Sequence, residues 1–161
     1  MSNYNTEELK VGYTNEFVIQ EHKSRHLHWD LRLGFPVQSA AESLKQYSEK
    51  RSNSPEPNAN LNNKSVLRSW AIPKHTLPEE KALLAIEVED HDFEYRFFKG
   101  TIPEGHYGAG TVEIYDSGTF TLINVIHDKK YTFILNGKKI QSTFTLFKIA
   151  DKKYLWTRKK D

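Results

Sequence analysis

The chain has 161 residues, enough for one domain with a real core and too few for two. It has no cysteine, which excludes a disulfide scaffold, a thiol nucleophile and a thiolate metal site. Hydrophobic residues at 37% imply a polar insertion diluting a compact core, and aromatics at 12% suit β-structure; the formal charge of +2 permits an anionic partner without announcing one.

No apolar run reaches the length of a membrane span, and MSNYNTEELK has no hydrophobic signal core. The expectation is a soluble, intracellular monomer with no membrane partner, cytoplasmic and nuclear locations being indistinguishable. Residues 1–13 are polar and expected to be loose. EFVIQEH and HLHWDLRL then read as two strands around a loop at Glu21–Arg25. Residues 34–65 form an insertion. Ser39 and Glu42 carry a capping-box signature for a short helix to about Lys50, and the Ser, Asn and Pro of 51–64 predict a disordered loop, because almost nothing apolar offsets its ordering entropy.

Order is expected to resume at VLRSWAIPK (66–74), a strand stopped by Pro73. Alternation from Leu84 to Val88 predicts another strand, and FFKGTIPEGHYGAG (97–110), with Pro103 and four glycines, a tight irregular loop. TVEIYDSGTFTLI, KKYTFILNGKKIQSTFTLFKI and KKYLWTRKK read as hairpin strands with Asp-Ser-Gly and Asn-Gly turns. There is no internal repeat. Many short strands with little helix point to a single mainly β domain, a barrel or a sandwich.

HLHWDLRL is the most informative stretch. Side chains at two-residue steps share one face of a strand, about 6.5–7 Å apart at a rise of ~3.3 Å per residue. His28, Asp30 and Arg32 therefore line one surface, while Leu27, Trp29, Leu31 and Leu33 face a core. That polar surface faces either open water or a groove. His22 lies just before this strand, and EVEDHDFEY supplies His91 among acidic neighbours. Two imidazoles and a carboxylate make a first-row divalent metal site with positions left open for substrate. The spacing alone is a weak signal; Arg32 beside it adds weight, because a guanidinium grips phosphate in bidentate fashion.

QEHKSRHLHWDLRL, RSWAIPK, VEDHDFEY and FKGTIPEGHYGAGTVEIYDSGTF occur in that order between about Phe17 and Phe120. Together they resemble the 3′-phosphoesterase domain attached to bacterial DNA ligase D, which also occurs as small stand-alone proteins. The resemblance implies a small closed or partly open β-barrel with one or two short helices and a polar active-site groove. It implies a manganese-dependent hydrolase, other first-row divalent metals being possible, that trims 3′ ends of DNA or RNA. Its members release 3′-ribonucleosides and 3′-phosphates to leave 3′-hydroxyls, and some open 2′,3′-cyclic phosphates. By the same resemblance His22, Asp30 and His91 ligate the metal, and His28 is the catalytic histidine at the scissile phosphate. Arg32 and Tyr95 belong to the catalytic set, and Lys74 joins His28, Arg32 and Tyr95 in binding phosphate. A DNA ligase or polymerase acting in trans is the implied partner.

Departures motivate a second reading, a nucleic-acid-end binding module of weak catalysis. Residues 1–16 show no equivalent of the family's acidic and arginine-bearing arm, and Leu83 stands where the family often has a basic residue. A third reading is an enzyme acting mainly on 2′,3′-cyclic phosphates. His26 is expected at the surface or behind the site, and Asp90 and Asp92 to act on the local field or on an imidazole. Trp29, Trp70 and Trp156 are expected in the core, the glycines of GHYGAG at turns, and the lysine pairs 129–130, 138–139 and 159–160 at solvated hairpin ends.

Overall fold

The computed structural model describes residues 4–37 and 64–160. Within them, period-two alternation of apolar and polar side chains produces nine strands. They are β1 (Thr14–Lys23), β2 (Leu27–Pro36), β3 (Ser65–Ile72), β4 (Leu83–Asp92), β5 (Gly100–Ile102), β6 (Gly110–Ile126), β7 (Lys130–Gly137), β8 (Gln141–Ala150) and β9 (Lys153–Arg158). A 3-10 turn, Phe93–Phe97, follows β4. The sheet runs β1-β2-β3-β4-β9-β8-β7-β6, and β6 pairs back onto β1. All of these pairings are antiparallel, so eight strands close a barrel and β5 adds to β6 outside the ring. Closure leaves no free edge around that ring.

The inner face is apolar and aromatic. Phe17 and Ile19 of β1, Leu31, Leu33 and Phe35 of β2, Trp70 of β3 and Phe133 of β7 are all buried, as are Phe144, Tyr154 and Trp156. All three tryptophans lie in this core. β3 stops at Ile72 where Pro73 removes a ladder donor.

Residues 4–13 are not loose. Leu9 is buried, Tyr4 packs edge-on against Phe35, and Asn5 N donates to Pro36 O at 2.8 Å. Gly12 and Tyr13 extend the ladder toward Leu122. The segment covers part of the barrel core because its few apolar side chains find a complementary hollow; burying Leu9 alone contributes about 1.5–3 kcal/mol.

Two predicted turns also differ. Asp116, Ser117 and Gly118 lie within the single long strand β6. The ladder slips there, Ile19 facing Asp116 and Gln20 facing Ile114, so Tyr115 is the extra residue of a bulge. The buried Asp116 carboxylate accepts hydrogen bonds from the backbone N–H groups of Lys138, Lys139 and Ile140 at 2.8–3.1 Å. It therefore folds a four-residue loop, Gly137–Ile140, in place of a two-residue Asn-Gly turn. A Cβ at Gly118 would collide with the Asn136 carbonyl, which is why glycine stands in mid-strand.

β1 runs to Lys23, past the expected loop start at Glu21, and β2 continues through Pro36 into the predicted insertion. The helix predicted from Ser39 to Lys50 and all but the last residue of the predicted 51–64 loop lie outside the described residues. Among the described residues no helix is long and apolar enough to cross a membrane.

Candidate active site

The outer face of β1–β4 carries a polar cleft of about 560 Å³, lined by His22, His28, Asp30, Arg32, His91 and Tyr95 together with parts of the surrounding loops. The strands bring these residues together by simple register. His22 and His28 face each other across the β1–β2 ladder, and Asp30 and Arg32 follow His28 at two-residue steps on the same face. His91 is the next-to-last residue of β4, and Tyr95 stands in the 3-10 turn behind it.

Asp30 is the centre. Its Oδ2 lies 3.7 Å from His22 Nδ1, 3.4 Å from His28 Nε2 and 3.4 Å from Arg32 Nη2, with only 7% of the side chain exposed. Burial alone would raise its pKa, but His22, His28 and the Arg32 charge outweigh it and hold the carboxyl well below the usual carboxylate range. The same contact raises the His28 pKa against its own burial. His91 goes the other way: burial, reinforced by the Arg32 charge, lowers it, so its ring is neutral near pH 7. Burial also raises the Tyr95 hydroxyl, with Arg32 opposing, and keeps it a proton-bearing donor.

His22 and His28 each set one ring nitrogen on a backbone carbonyl, and His91 Nδ1 lies between a carbonyl and the Arg32 guanidinium. His22 Nε2 is 2.8 Å from Gly108 O, His28 Nδ1 is 3.1 Å from His26 O, and His91 Nδ1 is 3.1 Å from Glu89 O. A ring that donates through one nitrogen presents the lone pair of the other, the arrangement that orients metal-binding imidazoles. For His22 and His28 that second nitrogen is the one directed at Asp30, and the ligand atoms of His22, His28 and Asp30 lie within 4.8 Å of one another. Two imidazoles and a carboxylate converging in this way could hold a first-row divalent ion. His91 stands apart from that group. Its Nδ1 also lies 3.1 Å from Arg32 Nη1, and its ring tilts against Tyr95 at 4.8 Å.

Arg32 is held on almost every side. Its Nε donates to Gln20 Oε1 at 2.6 Å and its Nη1 to Ser69 Oγ at 2.9 Å, while the guanidinium lies 5.0 Å from the centre of the Tyr95 ring. Gln20 in turn donates through Nε2 to the carbonyls of Tyr95 and Phe98 at 3.0 and 3.1 Å. Gln20 and Ser69 are fully buried positioning residues that the sequence reading missed. Gln20 was findable, since it precedes His22 by two positions on the same strand face.

Lys74 sits in the exposed turn after β3 and does not line the cleft. His26 is exposed and contributes its carbonyl to His28. Asp90 turns away from the imidazoles and accepts the Tyr4 hydroxyl on both oxygens, at 3.0 and 2.9 Å. Leu83 packs against the core opposite Trp156 rather than facing the cleft. Gly108 and Gly110 adopt positive φ in the cleft-side loop, and a Cβ at Gly110 would strike the Lys23 carbonyl.

Comparison with known proteins places the chain in a family. The "Multifunctional non-homologous end joining protein LigD" of Mycobacterium bovis is 35% identical over 157 residues, covering 94% of this chain and 17% of that protein. Its namesake in Mycolicibacterium smegmatis is 34% identical over 164 residues, 94% of this chain and 18% of the relative. That of Pseudomonas aeruginosa is 29% identical over 137 residues, 82% and 13%. The chain thus spans less than a fifth of the length of these relatives. The family model of the DNA Ligase D 3′-phosphoesterase domain matches residues 58–148, more than half of the chain, and it is to this domain family that the chain belongs.

Proposed function

We propose that the protein is a metal-dependent 3′-end-healing phosphoesterase. It removes 3′-phosphate groups, and 3′-ribonucleoside groups, from DNA or RNA ends to leave a 3′-hydroxyl. The observation that carries this reading is the meeting of one buried carboxylate with two imidazoles and a buried guanidinium in a single open cleft. His22, His28 and Asp30 would hold the ion, Mn2+ by the family resemblance, and the ion would supply Lewis-acid polarisation of the phosphoryl oxygens.

The chain's own groups do the rest. Arg32, braced by Gln20 and Ser69, offers a fixed positive charge to the phosphate and to the charge that builds up during in-line displacement. The Tyr95 hydroxyl donates a hydrogen bond to a phosphate oxygen. His91, kept neutral, accepts the proton that the attacking water loses as its oxygen bonds to phosphorus. The 3′-oxygen takes a proton from solvent in the open cleft as its bond to phosphorus breaks. DNA ends and a ligase or polymerase in trans are the partners we infer, since the relatives' names describe non-homologous end joining proteins.

This assignment exchanges the roles that the family resemblance suggested for His28 and His91. The raised pKa of His28 favours the original one, in which His22, Asp30 and His91 bind the ion and protonated His28 donates to the leaving oxygen.

The direct test is phosphate release from a 3′-phosphate oligonucleotide with added Mn2+, comparing wild type with Asp30→Ala. Turnover that disappears in the variant is the expected result; an active Asp30→Ala enzyme overturns the metal site. Tight end binding without turnover in the wild type would instead indicate a binding module. Substituting 3′-ribonucleotide and 2′,3′-cyclic ends in the same assay ranks the three substrates.

A further inference from the structure

Tyr107 stands at the surface of the glycine-rich loop before β6. It is 78% exposed, yet it lines the active-site cleft beside Gly108 and Ala109. The loop that carries it is fixed. Gly105 and Gly108 hold φ of +91° and +77°, and the Ala109 N–H donates to His106 O at 3.1 Å. The Gly108 carbonyl, next in the chain, is the group that orients His22. Ser24 and Arg25 of the neighbouring β1–β2 loop line the same cleft, so a cationic side chain and an aromatic one both border it. A pinned backbone presenting a bare ring to solvent at the mouth of a phosphate cleft is the layout of a stacking platform. Every base has a π-face, and base–aromatic stacking binds nucleic-acid ends without regard to sequence.

We propose that Tyr107 stacks on the nucleobase of the terminal nucleotide whose 3′-phosphate rests on Arg32. Resting on the function proposed above, this names the recognised unit: a nucleotide end, base included, not a bare phosphoester. Recognition by stacking predicts little preference among the four bases and a strong preference for a base over an abasic sugar.

The test is equilibrium binding by fluorescence anisotropy, with single-stranded oligonucleotides ending in a non-hydrolysable 3′-phosphonate. One set ends in thymidine and the other in an abasic nucleotide. Tyr107→Ala is expected to weaken the thymidine end roughly tenfold and to leave the abasic end within twofold, while Tyr107→Phe binds both as the wild type does. Equal weakening of both ends, or of neither, overturns the platform. A wild-type protein that binds neither end overturns it as well. Binding with the expected pattern but no phosphate release from 3′-phosphate ends would refute the catalytic reading while leaving the platform in place.

Discussion

His28 and His91 feel the Asp30 carboxylate and the Arg32 guanidinium in different balance within one cleft, and the roles proposed for them rest on that difference. His28 shares the Asp30 carboxylate with His22, whereas the His91 ring lies beside the Arg32 guanidinium. A cation site is more stable beside the carboxylate than beside a fixed positive charge. Removing His28 should therefore lower Mn2+ affinity by about 100-fold, and removing His91 should lower phosphate release by about 10²–10⁴-fold with metal affinity nearly unchanged. Titration of Mn2+ into His28→Ala and His91→Ala, with turnover measured in parallel, separates the two. The reverse pattern would restore the roles implied by family resemblance. The alternation of His28, Asp30 and Arg32 was legible because costly polar groups at period two stand out. The division of labour proposed for them was not, since it rests on how β1, β2 and β4 bring His22, His28 and His91 around Asp30 and Arg32. Ser69 escaped notice for a simpler reason: a neutral hydroxyl carries no sign in sequence that an arginine will lean on it, whereas Gln20 shares its strand face with His22.

Among the elements, the N-terminal segment shows how a polar stretch is built into a barrel. The Tyr13 hydroxyl donates to Gly34 O at 3.1 Å and accepts from Asn15 Nδ2 at 2.7 Å. Burial pushes its pKa up to about 12, with the Asn15 and Ser65 bonds opposing. Burial likewise raises Tyr4 of the same segment. An unfolded tyrosine ionises near pH 10. Between about pH 10 and 12 the unfolded chain loses the Tyr13 proton and the native state keeps it, so native stability falls as pH rises. Below pH 10 the contribution is intact, and above 12 no further loss comes from this group. Urea unfolding at pH 9 to 12 should show this decline, and Tyr13→Phe should flatten it by at most about 1.4 kcal/mol per pH unit. An identical slope in the variant would place the alkaline sensitivity elsewhere. Turn signals were the least dependable in sequence, and Asp116 explains why. Asp-Ser-Gly and Asn-Gly both read as local turns, but the Asp116 side chain bonds to backbone more than 20 residues away and reshapes both. Strand existence, set by local alternation, was legible for nearly every described strand.

Across the whole molecule, two arginine–carboxylate groups lie on opposite sides of one barrel wall. Arg32 and Asp30 face the cleft, whereas Arg68 shares the inward face of β3 with Trp70 and pairs with Glu87 at 2.8 Å. Arg68 also donates to the hydroxyls of Tyr131 and Tyr154 at 3.0 and 2.8 Å, and its guanidinium lies within 5.4 Å of the Tyr4, Phe35 and Trp70 rings. Burial works against this charge, but Glu87, Tyr131 and Tyr154 outweigh it. Alternation already separates the two arginines, since Arg32 shares its strand face with His28 and Asp30 and Arg68 shares its face with Trp70; closure of the barrel turns the first face outward and the second inward. The two groups should then separate in experiment. Arg68→Leu leaves Glu87 unpaired at the barrel interior and is expected to lower unfolding free energy by about 3 kcal/mol, and Glu87→Leu by a similar amount. The double variant should recover part of the loss, since no lone charge stays behind. Mn2+ affinity should hold within twofold in all three, because none of the changes touches His22, His28 or Asp30. Denaturant unfolding and metal titration on the same samples check both halves. A drop in metal affinity with Arg68→Leu comparable to that of His28→Ala would mean that the interior pair and the cleft are coupled through the β2–β3 wall.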